Sequence, residues 1–140
     1  VHSIVRFRDG AALAHLGYPD MRVPISYALT YPERAATPLP PLDLTSLTLE
    51  FSPPDTETFP MLSLARAAGR QAGSAPSVYN AANEVAVAAF LAGRLPFLGI
   101  PEVVGETLAA ARTDPVRDVD DLVEADRAAR EIAEGALATA

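Results

Sequence analysis

The chain has 140 residues, a formal net charge of −7, and 49% hydrophobic against 21% charged residues. That length suits one ordinary domain or two small ones, and the composition is globular rather than disordered. The acidic balance argues against nucleic-acid partners and against docking on anionic membranes, while the absence of Cys excludes disulfides, thiolate catalysis and Cys-based zinc sites.

No apolar stretch approaches the ~20 residues that cross a bilayer, and no basic, apolar and small-residue pattern marks a signal peptide. The absence of Cys fits a cytoplasmic protein, and that location is expected. All the basic residues are Arg. The chain opens without Met, on Val1-His2-Ser3-Ile4-Val5, inside an expected strand. That opening reads as a piece of a longer gene product.

The alternation over 1–8, the turn signal Asp9-Gly10 and the return over 11–16 predict a β-hairpin. A two-residue turn would pair Arg8 with Ala11, Phe7 with Ala12, Val5 with Ala14 and Ser3 with Leu16. His2 and His15 would then lie diagonally on the more polar face. A lone hairpin is marginal in water, so this one should belong to a larger sheet.

Asp20 is placed to cap a short helix from about Met21 to Tyr31, stopped by Pro32. The segment 32–46 is a Pro-rich, semi-rigid connector, and Leu47–Ser52 alternates like a strand. The period then becomes helical. Helices are predicted over about Phe59–Gln71, Val78–Ala92, Pro101–Arg112, and from Asp118 towards the end. The second is apolar nearly all round and should be buried. The last carries a stripe of Leu122, Ala125, Ala129, Ile132 and Ala136. The fold class is therefore α+β: a hairpin and short helix, a connector with a strand, then a four-helix bundle.

Few residues offer chemistry. His2 and His15 invite a metal or acid–base reading, but no Asp or Glu joins them at hairpin spacing, which favours ordinary sheet-face histidines. Asn80, Asn83 and Glu84 share a helix face. With no catalytic partner evident, they read as a buried hydrogen-bonding cluster. Asp118, Asp120 and Asp121 lack a calcium-loop pattern and suit a helix N-terminus. Gly69 and Gly73 have GxxxG spacing without an apolar span to give it meaning. No dinucleotide or phosphate-binding glycine motif occurs. No catalytic and no metal-ligating residue is assigned.

Several ordered motifs nevertheless resemble one family. Val1-His2-Ser3 through Asp9-Gly10 is similar to the "VHSxVxxxDG" strand and turn of 1-deoxy-D-xylulose-5-phosphate reductoisomerases. Gly17-Tyr18-Pro19-Asp20-Met21-Arg22-Val23-Pro24-Ile25 resembles their "GxPDMRxPI". Tyr27-Ala28-Leu29, Tyr31-Pro32-Glu33-Arg34, Leu47-Thr48-Leu49-Glu50-Phe51 and Phe59-Pro60-Met61-Leu62 follow in family order. Asn80–Leu91 resembles the signature helix, and Asp120, Asp121 and Ala125–Arg130 the weaker final pattern.

The resemblance implies an NADPH-dependent, Mg- or Mn-dependent homodimeric enzyme of non-mevalonate isoprenoid synthesis. That enzyme converts 1-deoxy-D-xylulose 5-phosphate to 2-C-methyl-D-erythritol 4-phosphate. It also implies that 1–31 close the catalytic domain, 32–56 connect, and 57–140 form the helical domain. The family's nucleotide loop, metal ligands and phosphate ligands precede this region. The partners of this chain would be those missing N-terminal and catalytic portions. Of the family's site residues only Pro19 and Met21 carry over, as an apolar wall beside the nicotinamide and inhibitor pocket. The chain alone is expected to be inactive. The alternative is a stand-alone helical interaction module derived from that family.

Overall fold

In the computed structural model, which describes residues 1–138, β1 (Ser3–Arg6) and β2 (Ala12–His15) form an antiparallel pair. The register sets Ser3 against His15, Ile4 against Ala14, Val5 against Leu13 and Arg6 against Ala12. This is one residue away from the pairing that a two-residue turn predicts. The turn is the reason. Phe7 N–H donates to the Ala11 carbonyl at 2.9 Å and Gly10 N–H to the Phe7 carbonyl at 3.2 Å. The loop is thus three residues long, with Gly10 in the left-handed region at φ 92° and Asp9 Oδ1 accepting the Ala11 N–H. A type I turn followed by a left-handed Gly is the usual three-residue hairpin loop. The slip moves Leu13 to the face of Val5.

α1 (Arg22–Thr30) follows. The N-cap position falls on Met21, one residue after the expected Asp20, and no side chain caps from it; Asp20 Oδ1 instead accepts the Arg22 N–H at 2.9 Å from just outside the helix. Pro24 falls among the first N–H groups, which need no helical partner. Beyond it, Leu44–Ser46 form one 3₁₀ turn, capped by Asp43 through the Thr45 N–H. The strand expected over 47–52 does not form; those residues are irregular. Alternation shows only that a segment could pair. A strand also needs a neighbouring edge to bond with, and none faces it among the described residues.

Contacts divide the chain into units 1–51 and 52–140. The second unit contains α2 (Met61–Gln71), α3 (Ala75–Leu91), α4 (Gly99–Ala110) and α5 (Val119–Leu137). α3 packs on α2, α4 and α5. Its Ala75, Ala81, Ala82, Ala86 and Ala89 are fully covered. Alanine at these positions lets neighbouring helices approach closely, and Val78, Val103 and Val104 fill the space between. Burying each such valine is worth about 1.5 kcal/mol. Thr107 is also fully buried and satisfies its hydroxyl by donating to the Val103 carbonyl at 2.7 Å.

α3 starts three residues before the predicted Val78. Pro76 reads as a separator but is tolerated in a first turn. Burial of α3 is not uniform either, since Leu91 is 77% exposed and Phe90 is at the surface. On α5, Ala129 of the predicted stripe is buried, whereas the second buried residue, Ala133, lies outside that stripe. Asp118 Oδ1 accepts the Asp121 N–H, and Asp121 Oδ2 reaches back to the Arg117 N–H. This reciprocal arrangement resembles a capping box.

Candidate functional site

The first unit carries an open groove of about 670 Å³. The strand end, the Gly17–Met21 loop and the first turn of α1 line it. Pro19 and Met21 form part of an apolar wall with Val23 and Pro24. Met21 is 69% exposed, so its thioether is open to a contact from the groove side.

His2 and His15 sit at one end, their ring centroids 5.3 Å apart. The observed register alone would place them on opposite faces. However, the His2 N–H donates to the His15 carbonyl at 2.9 Å, one residue out of step with the Ser3–His15 pair. Two residues of β1 therefore oppose one of β2, which is bulge geometry, and bulges re-aim side chains. His2 Nε2 also donates to the Gly17 carbonyl at 3.2 Å, so the proton at that contact is on Nε2 and Nδ1 is left as the ring's other nitrogen.

Asp20 has no free lone-pair role in this groove. Arg22 grips it bidentately, Nη2 to Oδ2 at 2.6 Å and Nε to Oδ1 at 2.9 Å. These hydrogen bonds, joined by the Arg22 backbone N–H, lower the carboxyl to about 2. Asp20 is thus a loop anchor and not a general base. Among the described residues no group of three or more His, Asp or Glu is placed to hold a metal ion. The groove's donors do not fit a magnesium-like cation, which needs several hard oxygens.

Arg34 was not legible as a site residue. It lines the groove and a smaller adjoining cavity shared with His15 and Tyr27. Its guanidinium carbon lies 4.2 Å from the Tyr27 ring centroid, within cation–π range. The contact joins α1 to the segment after it, so only the fold reveals it.

In the helical unit, the cluster predicted around Asn80 differs from expectation. Asn80 and Glu84 are exposed rather than buried. Asn80 Nδ2 donates to Glu84 Oε1 at 3.1 Å, and Arg130 of α5 donates to Glu84 Oε2 at 2.6 Å. Asn83 stands apart and lines a second, almost wholly apolar groove with Phe59, Tyr79 and Phe97. Asn83 and Glu84 are consecutive and so about 100° apart round the helix, which separates Asn83 from the carboxylate that Asn80 meets. Asp118 and Asp121 serve as helix-terminal groups, as their spacing suggests. No helix among the described residues is long and apolar enough to cross a membrane.

The model of the DXP reductoisomerase C-terminal domain family matches residues 16–132. The 1-deoxy-D-xylulose 5-phosphate reductoisomerase of Desulforamulus reducens is 53% identical over 94% of this chain and 34% of its own length. That of Pelotomaculum thermopropionicum is 53% identical over 93% of the chain and 34% of its own. The chain thus spans about a third of these relatives. Among solved structures, the Zymomonas mobilis reductoisomerase in complex with NADPH superposes with a TM-score of 0.91 at 41% identity. That match covers 98% of this chain and 36% of that one. A DOX-P reductoisomerase in complex with magnesium gives 0.89 at 38% identity, over 99% and 37%. The chain therefore belongs to the DXP reductoisomerase C-terminal domain family.

Proposed function

We propose that the chain is the C-terminal portion of a 1-deoxy-D-xylulose-5-phosphate reductoisomerase, an NADPH- and magnesium- or manganese-dependent enzyme. Its reaction would rearrange 1-deoxy-D-xylulose 5-phosphate and reduce the product to 2-C-methyl-D-erythritol 4-phosphate, in non-mevalonate isoprenoid synthesis. The reading assigns 1–31 to the end of the catalytic domain, 32–56 to a connector and 57–140 to a helical domain, read as a four-helix bundle. The parent would be a cytoplasmic homodimer. The observation that carries this reading is a match running along nearly the whole chain, with about half of the residues identical to reductoisomerases.

In this reading Pro19 and Met21 would supply the apolar wall against which the nicotinamide lies. An apolar wall excludes water from one face of a ring and holds it in place. NADPH would supply the hydride and the metal would polarise the substrate oxygens. The groups holding the metal would come from the rest of the parent, because His2, His15 and Asp20 do not make a hard-oxygen set. The chain's own contribution would be to close the sheet and support the cleft.

The test is expression of the uninterrupted reading frame. NADPH oxidation dependent on 1-deoxy-D-xylulose 5-phosphate and on magnesium or manganese is expected. A reading frame with no dinucleotide-binding loop and no Asp/Glu metal motif upstream would instead favour the stand-alone interaction module. The isolated chain, titrated with NADPH by calorimetry with magnesium present, is expected to show no saturable micromolar binding. Net charge of −7 opposes both anionic ligands.

A further inference from the structure

The geometry points to Arg34 as a phosphate-recognising residue of the Pro19–Met21 groove, an inference that rests on the reading of that groove as a ligand cleft. Four observations converge. Arg34 lines the groove, and also the smaller cavity beside His15. Its guanidinium is held over Tyr27 at 4.2 Å. A stacked guanidinium has its face occupied, so its N–H edge is left for an acceptor, and that edge matches two phosphate oxygens at once.

The other two observations concern charge. The one carboxylate of the groove, Asp20, is fully engaged by Arg22. Arg34 itself has no carboxylate partner among the described residues. The groove therefore carries an uncompensated positive charge beside an apolar wall, on a chain that is acidic as a whole. A ligand complementary to it has a flat or apolar part and an anionic end. Phosphate is the anionic group shared by a nicotinamide dinucleotide and a sugar phosphate.

The experiment uses the full-length protein and compares wild type with Arg34→Gln, Arg34→Lys and Tyr27→Leu. Calorimetry with NADPH and, separately, with 1-deoxy-D-xylulose 5-phosphate reads binding without needing turnover. Thermal melting is followed in parallel. Arg34→Gln is expected to raise Kd for one of the two ligands about ten- to a hundredfold, the range for losing a charge-assisted hydrogen-bond pair. The melting temperature is expected to be unchanged. Whichever ligand responds identifies the phosphate. Arg34→Lys should recover part of the loss, because it keeps the charge but not the planar fork. Tyr27→Leu should give a smaller loss, since the guanidinium is then no longer held.

Unchanged Kd for both ligands in Arg34→Gln overturns the inference. So does a fall in melting temperature without a change in Kd, which would mean that Arg34 pairs with a carboxylate elsewhere in the parent. If wild type binds both ligands but does not turn over, the proposed reaction fails while the Arg34 comparison still stands.

Discussion

Arg130 of α5 joins two helices: it donates from Nη2 to Glu84 of α3 at 2.6 Å while Nε donates to Asp126 of α5 at 2.7 Å. Asn80 donates to the other oxygen of Glu84, so a chain of polar groups ties α3 to α5. The Arg130 guanidinium, then the Asn80 amide, hold the Glu84 carboxyl below its ordinary range. Arg127 differs, since its partners Glu124 and Glu131 lie on its own helix. Exposed pairs within one helix contribute little. Arg130→Ala in the full-length protein is therefore expected to lower the melting temperature more than Arg127→Ala. Equal shifts would mean that the inter-helix tie carries no weight.

Asp121 predicts a response to acid. Hydrogen bonds from the Arg117 side chain, then from its backbone N–H, lower the Asp121 carboxyl from 3.8 to about 2. A carboxyl whose folded pKa is depressed stabilises the fold above its unfolded value, and that contribution is lost as pH falls through the folded value. The loss from Asp121 should therefore run from pH about 4 down to about 2. Asp121→Asn is expected to be less stable near neutrality and to show a flatter stability–pH curve across that window. Parallel curves for variant and parent in urea titrations would contradict the assignment.

Gly73 is predicted to be the least replaceable glycine of the helical unit. Its φ is +57°, and a Cβ there would stand 2.4 Å from the Asp114 carbonyl oxygen. That carbonyl accepts the Ser74 N–H at 3.0 Å, and the Asp114 N–H donates to Ser74 Oγ. The backbone thus has little freedom to yield. Gly10, at φ +92°, has nothing within 4 Å of such an atom. Gly10→Ala should cost about 1–2 kcal/mol for the left-handed backbone alone. Gly73→Ala should cost clearly more, read from the urea midpoints of the two variants.

Val85 lies in the cluster that includes Val103, Val104 and Ala133, and is 8% exposed. Val85→Asp places an unpaired carboxylate there and should cost about 4 kcal/mol or more. A purified full-length variant unfolding at the parent's urea midpoint would show that α3 is not central to the helical unit.

Helix positions, caps and the α5 stripe were legible locally, because 3.6-residue periodicity and capping depend on residues within one or two turns. Asp20, Asp118 and Asp121 act within four positions of their partners, and α5 buries Ala129 on the stripe its sequence displays. The apolar wall of Pro19 and Met21 was legible only through resemblance, since neither residue type has chemistry of its own. What depends on distant partners was not legible. Asp9-Gly10 is compatible with a two- or a three-residue turn, and the hydrogen bonds of Phe7 and Gly10 decide the register. Leu47–Ser52 has the alternation of a strand but pairs with no edge among the described residues. Asn80 and Glu84 face Arg130 at the surface because α5 packs beside α3. Arg34 reaches the groove because the chain after α1 folds back over Tyr27. Periodicity specifies which face of an element is apolar; the contact made by its polar residues is set by the packing of another element against it.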